Sequence, residues 1–187
     1  MSEYDDTTLP EETTPEHEGL GSEHETAAES HTIVEQYTDG SVRAVTDLDG
    51  DGLADIVQHD TDGDGNVNVA YIDVNNDGAL ETAVLDRDDD GRADLLVSDR
   101  NADGLVDLEA HDLNEDGKVD QVVLDQNFDG RADVLAADRN FDGRVDLAAA
   151  NTDGDNVPDV VVADTNNDGV LDTAVYADPD TNPYAQH

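Results

Sequence analysis

The chain has 187 residues, 49 of them Asp or Glu and 8 Lys or Arg, a formal net charge of −41 with no Cys. This excludes a basic surface for nucleic acid or anionic lipid, and it excludes disulfides as a source of stability. No apolar run approaches the roughly 20 residues of a membrane-crossing helix, so no membrane insertion is expected. So acidic a chain either stays open or is neutralised by bound cations.

Residues 1–34 hold no Lys or Arg and are rich in Glu, Thr and Pro. They read as a disordered, solvated acidic tail. They lack a basic n-region and an apolar h-region, so they are not read as a secretory signal peptide. A short helix over 22–37, with Ser22 and Glu25 as a capping box, is the one local exception. His17, His24 and His31 are spaced seven apart. Two helical turns rise about 10 Å, too far for one ion, so these histidines are read as solvated.

Residues 35–46 form a degenerate unit that reads as a cap. From Asp47 to Tyr176 the chain keeps an unbroken 13-residue period, ten units long, and residues 177–187 form a Pro-containing tail. Each unit reads D-x-[D/N]-x-D-G-x-[apolar]-D and then four mostly apolar residues. Position 1 is Asp47, Asp60, Asp73, Asp86, Asp99, Asp112, Asp125, Asp138, Asn151 and Asp164. Position 3 is Asp49, Asp62, Asn75, Asp88, Asn101, Asn114, Asn127, Asn140, Asp153 and Asn166. Position 5 is Asp51, Asp64, Asp77, Asp90, Asp103, Asp116, Asp129, Asp142, Asp155 and Asp168. Position 9 is Asp55, Asn68, Glu81, Asp94, Asp107, Asp120, Asp133, Asp146, Asp159 and Asp172.

This spacing suits a hard cation. Ca²⁺ takes six to eight oxygens at about 2.3–2.6 Å. In a tightly wound loop, positions 1, 3 and 5 converge. Position 6 is Gly in nine units and Asn156 in the other, as a left-handed turn demands. A position-7 carbonyl then faces the ion, and position 9 closes the shell. Every unit keeps three or four carboxylates at positions 1, 3, 5 and 9, in all 32 of the 49 acids. Where position 1 is Asn151, position 3 is Asp153, and where position 9 is Asn68, position 3 is Asp62. An acidic low-complexity spacer would need no such compensation. The basic residues Arg87, Arg92, Arg100, Lys118, Arg131, Arg139 and Arg144 all occupy position 2 or 7, where side chains are expected to point away from the ion. The expectation is up to about ten Ca²⁺, one per loop.

The nine-residue loop resembles the calcium loops of EF-hands, dockerins, thrombospondin type 3 repeats and integrin-type propellers, over residues 47–176. It departs from each. Position 12 offers no acid in place of the bidentate Glu of an EF-hand, and four residues between loops leave no room for a helix. There are no cysteines for a thrombospondin repeat, and a propeller blade needs about 40–50 residues. The integrin-type loop, which closes at position 9, is the nearest in pattern. The overall organisation resembles repeats-in-toxin β-rolls.

Between loops lie stretches such as "ADIVQH", "ADLLVS" and "VDQVVL", short, aliphatic and often β-branched, which read as strands. The expected fold is all-β, a calcium-loaded β-solenoid of ten loop–strand units, with an antiparallel meander or barrel as the rival. The expected function is a calcium-dependent structural, surface or scaffold module. A high-capacity calcium sink or mineral-interacting polyanion, and a nucleic-acid mimic that captures basic proteins, are the alternatives. An enzyme is not expected, because metal accounts for the carboxylate positions. His59 and His111, both at position 13, have no nucleophile in motif context, and "GDG" at 50–52 and 63–65 lacks the rest of a phosphate loop. No protein partner can be named. Loops of this kind often need calcium at extracellular levels, which favours an extracellular or cell-surface place by a non-classical export route, with the cytoplasm as the alternative.

Overall fold

The structure is a computed structural model and describes residues 30–155 and 157–177. His17, His24 and most of the acidic tail lie outside the described residues. Twelve strands follow one another along the chain. They are β1 His31–Gln36, β2 Val42–Asp47, β3 Ile56–Asp60, β4 Val69–Ile72, β5 Thr82–Leu85, β6 Leu95–Ser98, β7 Leu108–His111, β8 Gln121–Leu124, β9 Val134–Ala137, β10 Leu147–Ala150, β11 Val160–Ala163 and β12 Thr173–Tyr176. β1 occupies residues where the sequence suggested the end of a helix, and it crosses the tail boundary at residue 34. The β-branched pair Ile33–Val34 favours extension there, and pairing with β2 fixes it.

All twelve strands form one sheet in chain order, and each neighbour pair is antiparallel. This is the meander arrangement. A solenoid of two or three units per turn would instead pair strands two or three units apart. Closure of the nine-residue loop accounts for the difference. In nine of the ten loops the position-9 amide donates to the carbonyl just before position 1, as in Asp55 N–H to Thr46 O at 2.9 Å and Asp107 N–H to Ser98 O at 2.8 Å. That bond reverses the chain into a hairpin. The sheet is open, with β1 and β12 at its two ends.

Register places position 10 of one strand opposite position 13 of the next, as with Ile56 and Ile72 or Leu95 and Leu85. Side chains alternate across the pleat, so both faces are largely aliphatic. Among the described residues only Val57, Leu95 and Ala137 are buried hydrophobics, and the register puts all three on one face. On the other face Thr82 and Ser98 are buried as a hydroxyl pair, 2.8 Å apart across β5 and β6. A single layer of four-residue strands leaves most side chains only half-buried, so the sheet supplies little hydrophobic driving force.

Because every connection is a hairpin, successive loops fall at opposite ends of the strands. One edge of the sheet carries the loops starting at Asp47, Asp73, Asp99, Asp125 and Asn151. The other carries those starting at Asp60, Asp86, Asp112, Asp138 and Asp164. The ladder continues from strand into loop. The amide of Asp73 donates to Asp55 O, Asp99 to Glu81 O and Asp125 to Asp107 O, so each loop is bonded to the next one on its own edge.

Candidate metal centre

Each loop is wound around its own acids. The position-1 carboxylate accepts two amides, as in Asp73, where Oδ1 takes Asn76 N–H at 2.6 Å and Oδ2 takes Gly78 N–H at 2.7 Å. Position 3 accepts the position-5 amide and position 5 the position-7 amide, for example Asp51 N–H to Asp49 at 3.0 Å and Leu53 N–H to Asp51 at 2.7 Å. The position-9 side chain accepts the position-2 amide in all ten loops, as in Arg100 N–H to Asp107 Oδ2 at 2.7 Å. These bonds satisfy loop amides that no ladder can reach. They also fix where the remaining carboxylate oxygens lie.

In three loops those oxygens converge. One oxygen from each of Asp47, Asp49 and Asp55 lies within 4.8 Å of the others, and the same holds for Asp60, Asp62 and Asp64 and for Asp86, Asp88 and Asp94. These are the loops with Asp at both position 1 and position 3. In the other loops one of those positions is Asn, and among the described residues their acids do not form such triads. Asp51 and Asp90, at position 5, stand outside the triads of their loops, and each holds a position-7 amide instead.

Burial marks the same residues. Among the described residues, twelve of the fourteen buried polar ones are at position 1 or 9, against three buried hydrophobics, so the loop centres are better enclosed than the sheet. Asp107 is the extreme, at 2 % exposure. Its Oδ2 takes the Arg100 amide, but its Oδ1 is buried with no hydrogen-bond partner among the described residues. Glu81 Oε2 and Asn151 Nδ2 are also buried and unpartnered, and all three belong to loops of one edge. An uncompensated buried carboxylate oxygen costs about 1–3 kcal/mol or more, so a counter-charge beside Asp107 and Glu81 has a physical purpose, whereas the Asn151 Nδ2 donor calls for an acceptor.

The local environment shifts several carboxyls. Burial opposes ionisation of Asp112 and Asp125, but the loop amides outweigh it and hold both below the ordinary carboxylate range. Hydrogen bonds from Thr152 and Thr165 lower Asp159 and Asp172, and Arg139 lowers Asp146. Glu115 is pushed up, chiefly by the charge of Asp88, and Asp89 is pushed up by burial and then by the charges of Asp62 and Asp64. Both sit at position 4 and face the preceding loop on their edge.

Position 4 is the feature the motif did not reveal. Its φ is positive in all ten loops, from Gly50 at 77° to Asn167 at 59°. Six of the ten residues there are Gly, Asn or Asp, a legible signal, but Ala102, Glu115, Phe128 and Phe141 conceal it. The expected left-handed turn at position 6 is present at all nine glycines there.

The basic residues depart from expectation. Arg139 Nε lies 2.7 Å from Asp146 Oδ1, and Lys118 Nζ lies 3.2 Å from Asp116 Oδ2, so two bases turn toward acids of their own loops. The bond from the position-2 amide to position 9 brings the Arg139 side chain close enough to do so. Others reach the next loop on their edge. Arg100 donates to Asp125 O at 2.9 Å and lies over the Phe128 ring, and Arg92 donates to Glu115 O at 3.1 Å. His59 packs edge-on against Tyr71 and His111 approaches Glu109, four strands away from His59, so the two histidines do not meet. No family model, no curated relative and no solved structure matches the chain.

Proposed function

We propose that this is a calcium-binding repeat protein, a structural or scaffold module whose loops take up Ca²⁺ as it folds. The observation that carries this reading is the convergence of three carboxylate oxygens within 4.8 Å in single loops. Such groups repel one another unless a cation lies among them. The buried, unpartnered Oδ1 of Asp107 supports it from a loop outside those triads. The donor set is oxygen alone, with no Cys and no His in the loops, which suits a hard cation such as Ca²⁺. When bound, the ion would supply positive charge at each loop centre. Position-1 and position-9 side chains would hold it from the enclosed side, and position 3 from the exposed side, while their amide bonds keep the loop wound.

The sheet has few buried hydrophobics, and 32 carboxylates sit at the candidate ligand positions. Folding and cation uptake are therefore one process. Native mass spectrometry with counted calcium, together with circular dichroism with and without chelator, tests this. The expected result is several bound ions, up to about ten, and loss of the β spectrum on chelation. A β spectrum indifferent to chelator, with no bound calcium, overturns it. Graded uptake without folding would instead mark a calcium sink. Capture of basic proteins that survives saturating calcium would mark a polyanionic mimic.

A further inference from the structure

We infer that the calcium sites are coupled in two separate rows, one along each edge of the sheet, so that each loop senses loops two repeats away and not its neighbours in sequence. This rests on the calcium reading above and names how those sites are regulated. The loop 99–107 anchors the argument, because the enclosed Oδ1 of Asp107 has no hydrogen-bond partner among the described residues and so points to a ligand there.

The coupling path is short. The side chain of Asp107 belongs to one loop centre, and its carbonyl accepts the amide of Asp125, at 2.8 Å, whose carboxylate belongs to the next centre on that edge. Asp99 is joined to Glu81 in the same way on the other side. A single peptide hydrogen bond thus links candidate ligands of adjacent centres, and all eight junctions within the two rows carry it. Arg100 adds a second tie, to Asp125 O. Ordering one loop fixes the backbone to which the next is bonded. Row neighbours are two strand spacings apart, about 9.5 Å, whereas sequence neighbours are separated by a whole strand, about 13 Å, plus both loops. No loop-to-loop hydrogen bond among the described residues crosses from one edge to the other.

The position-6 glycine amides report each centre, because they donate to the position-1 carboxylates. The full chain is labelled with ¹⁵N-glycine and titrated with calcium alone, as wild type and as Asp107→Asn, which keeps an acceptor for the Arg100 amide. The calcium midpoints of Gly78 and Gly130 are expected to rise about fivefold or more, while those of Gly91 and Gly117 stay within about twofold, the effect of one lost charge at that range. Equal shifts at all four glycines, or none at Gly78 and Gly130, overturn the rows and leave the calcium reading intact. Wild-type glycines that ignore calcium overturn both. Should Asp107→Asn fail to fold, Asp120→Asn reverses the pattern: Gly91 and Gly143 move, and Gly104 and Gly130 do not. Any other pattern in that variant sinks the inference.

Discussion

Two residues are left-handed in nine of the ten nine-residue loops, Asn156 of the tenth lying outside the described residues, and the two positions are held differently. At position 6, where nine loops carry Gly, the preceding loop on the same edge lies over some of the glycines and leaves others open. A Cβ on Gly130 would fall 2.9 Å from Leu105 Cδ1, and one on Gly78 would fall 2.7 Å from Leu53 Cδ1. At position 4 the amide donates to the position-1 side chain in eight of the ten loops, which holds even Phe128, at φ 61°, in a region that costs an L-residue about 1–2 kcal/mol, while Ala102 and Phe141 are left-handed without that bond. Gly104 has positive φ but open space around it, whereas a Cβ on Gly63 would collide with the carbonyl oxygen of Gly40 in the β1–β2 turn. Gly104→Ala should therefore cost about 1–2 kcal/mol, the conformational penalty alone. Gly63→Ala should cost more than that, about 3 kcal/mol, as backbone must move. Urea unfolding in calcium-containing buffer checks the order, and equal losses would contradict it. Position 6 was legible in the sequence because only Gly and Asn stand there. Position 4 was not, because in most loops a hydrogen bond to position 1, rather than residue type, holds its conformation.

At the scale of one hairpin, loop and strands share the work. The strands provide the register, and positions 1 and 9 provide most of the buried residues among those described. The 13-residue period announced both parts, and it located every loop. It could not say which strands pair, because the strands are nearly alike and a solenoid and a meander have the same alternation of loop and strand. The closing bond from the position-9 amide decides the matter, and it is a backbone bond with no residue signature. The basic residues show the same limit. Their positions follow the repeat, but a long side chain reaches wherever a carboxylate or carbonyl is free. Arg139 reaches Asp146, a candidate ligand, and so competes with a cation in the loop 138–146. Arg139→Gln should tighten calcium binding at that loop by about two- to fivefold, the range of a half-exposed ion pair. The Gly143 amide in a calcium titration reads this directly, and an unchanged or weaker midpoint would show that Arg139 does not compete.

At the scale of the molecule, the strand pairing among the described residues runs along the meander. Each strand packs on its chain neighbours, each loop bonds to the next on its edge, and β1 and β12 do not meet. Such an array is quasi-one-dimensional, and its stability is a sum of unit and junction terms rather than a property of closure. A chain stopped after residue 150 loses β11 and β12 and one loop from each edge, yet it removes no contact among β1 to β10. In saturating calcium it should keep the same β ellipticity per strand, and its urea m-value should fall by about a sixth, in proportion to the surface removed. A closed barrel behaves otherwise, since losing two strands opens the ring and exposes the edges of those that remain. Collapse of the β signature throughout the shortened chain would therefore show that distant strands depend on one another, and the open meander would have to be abandoned as the basis of stability.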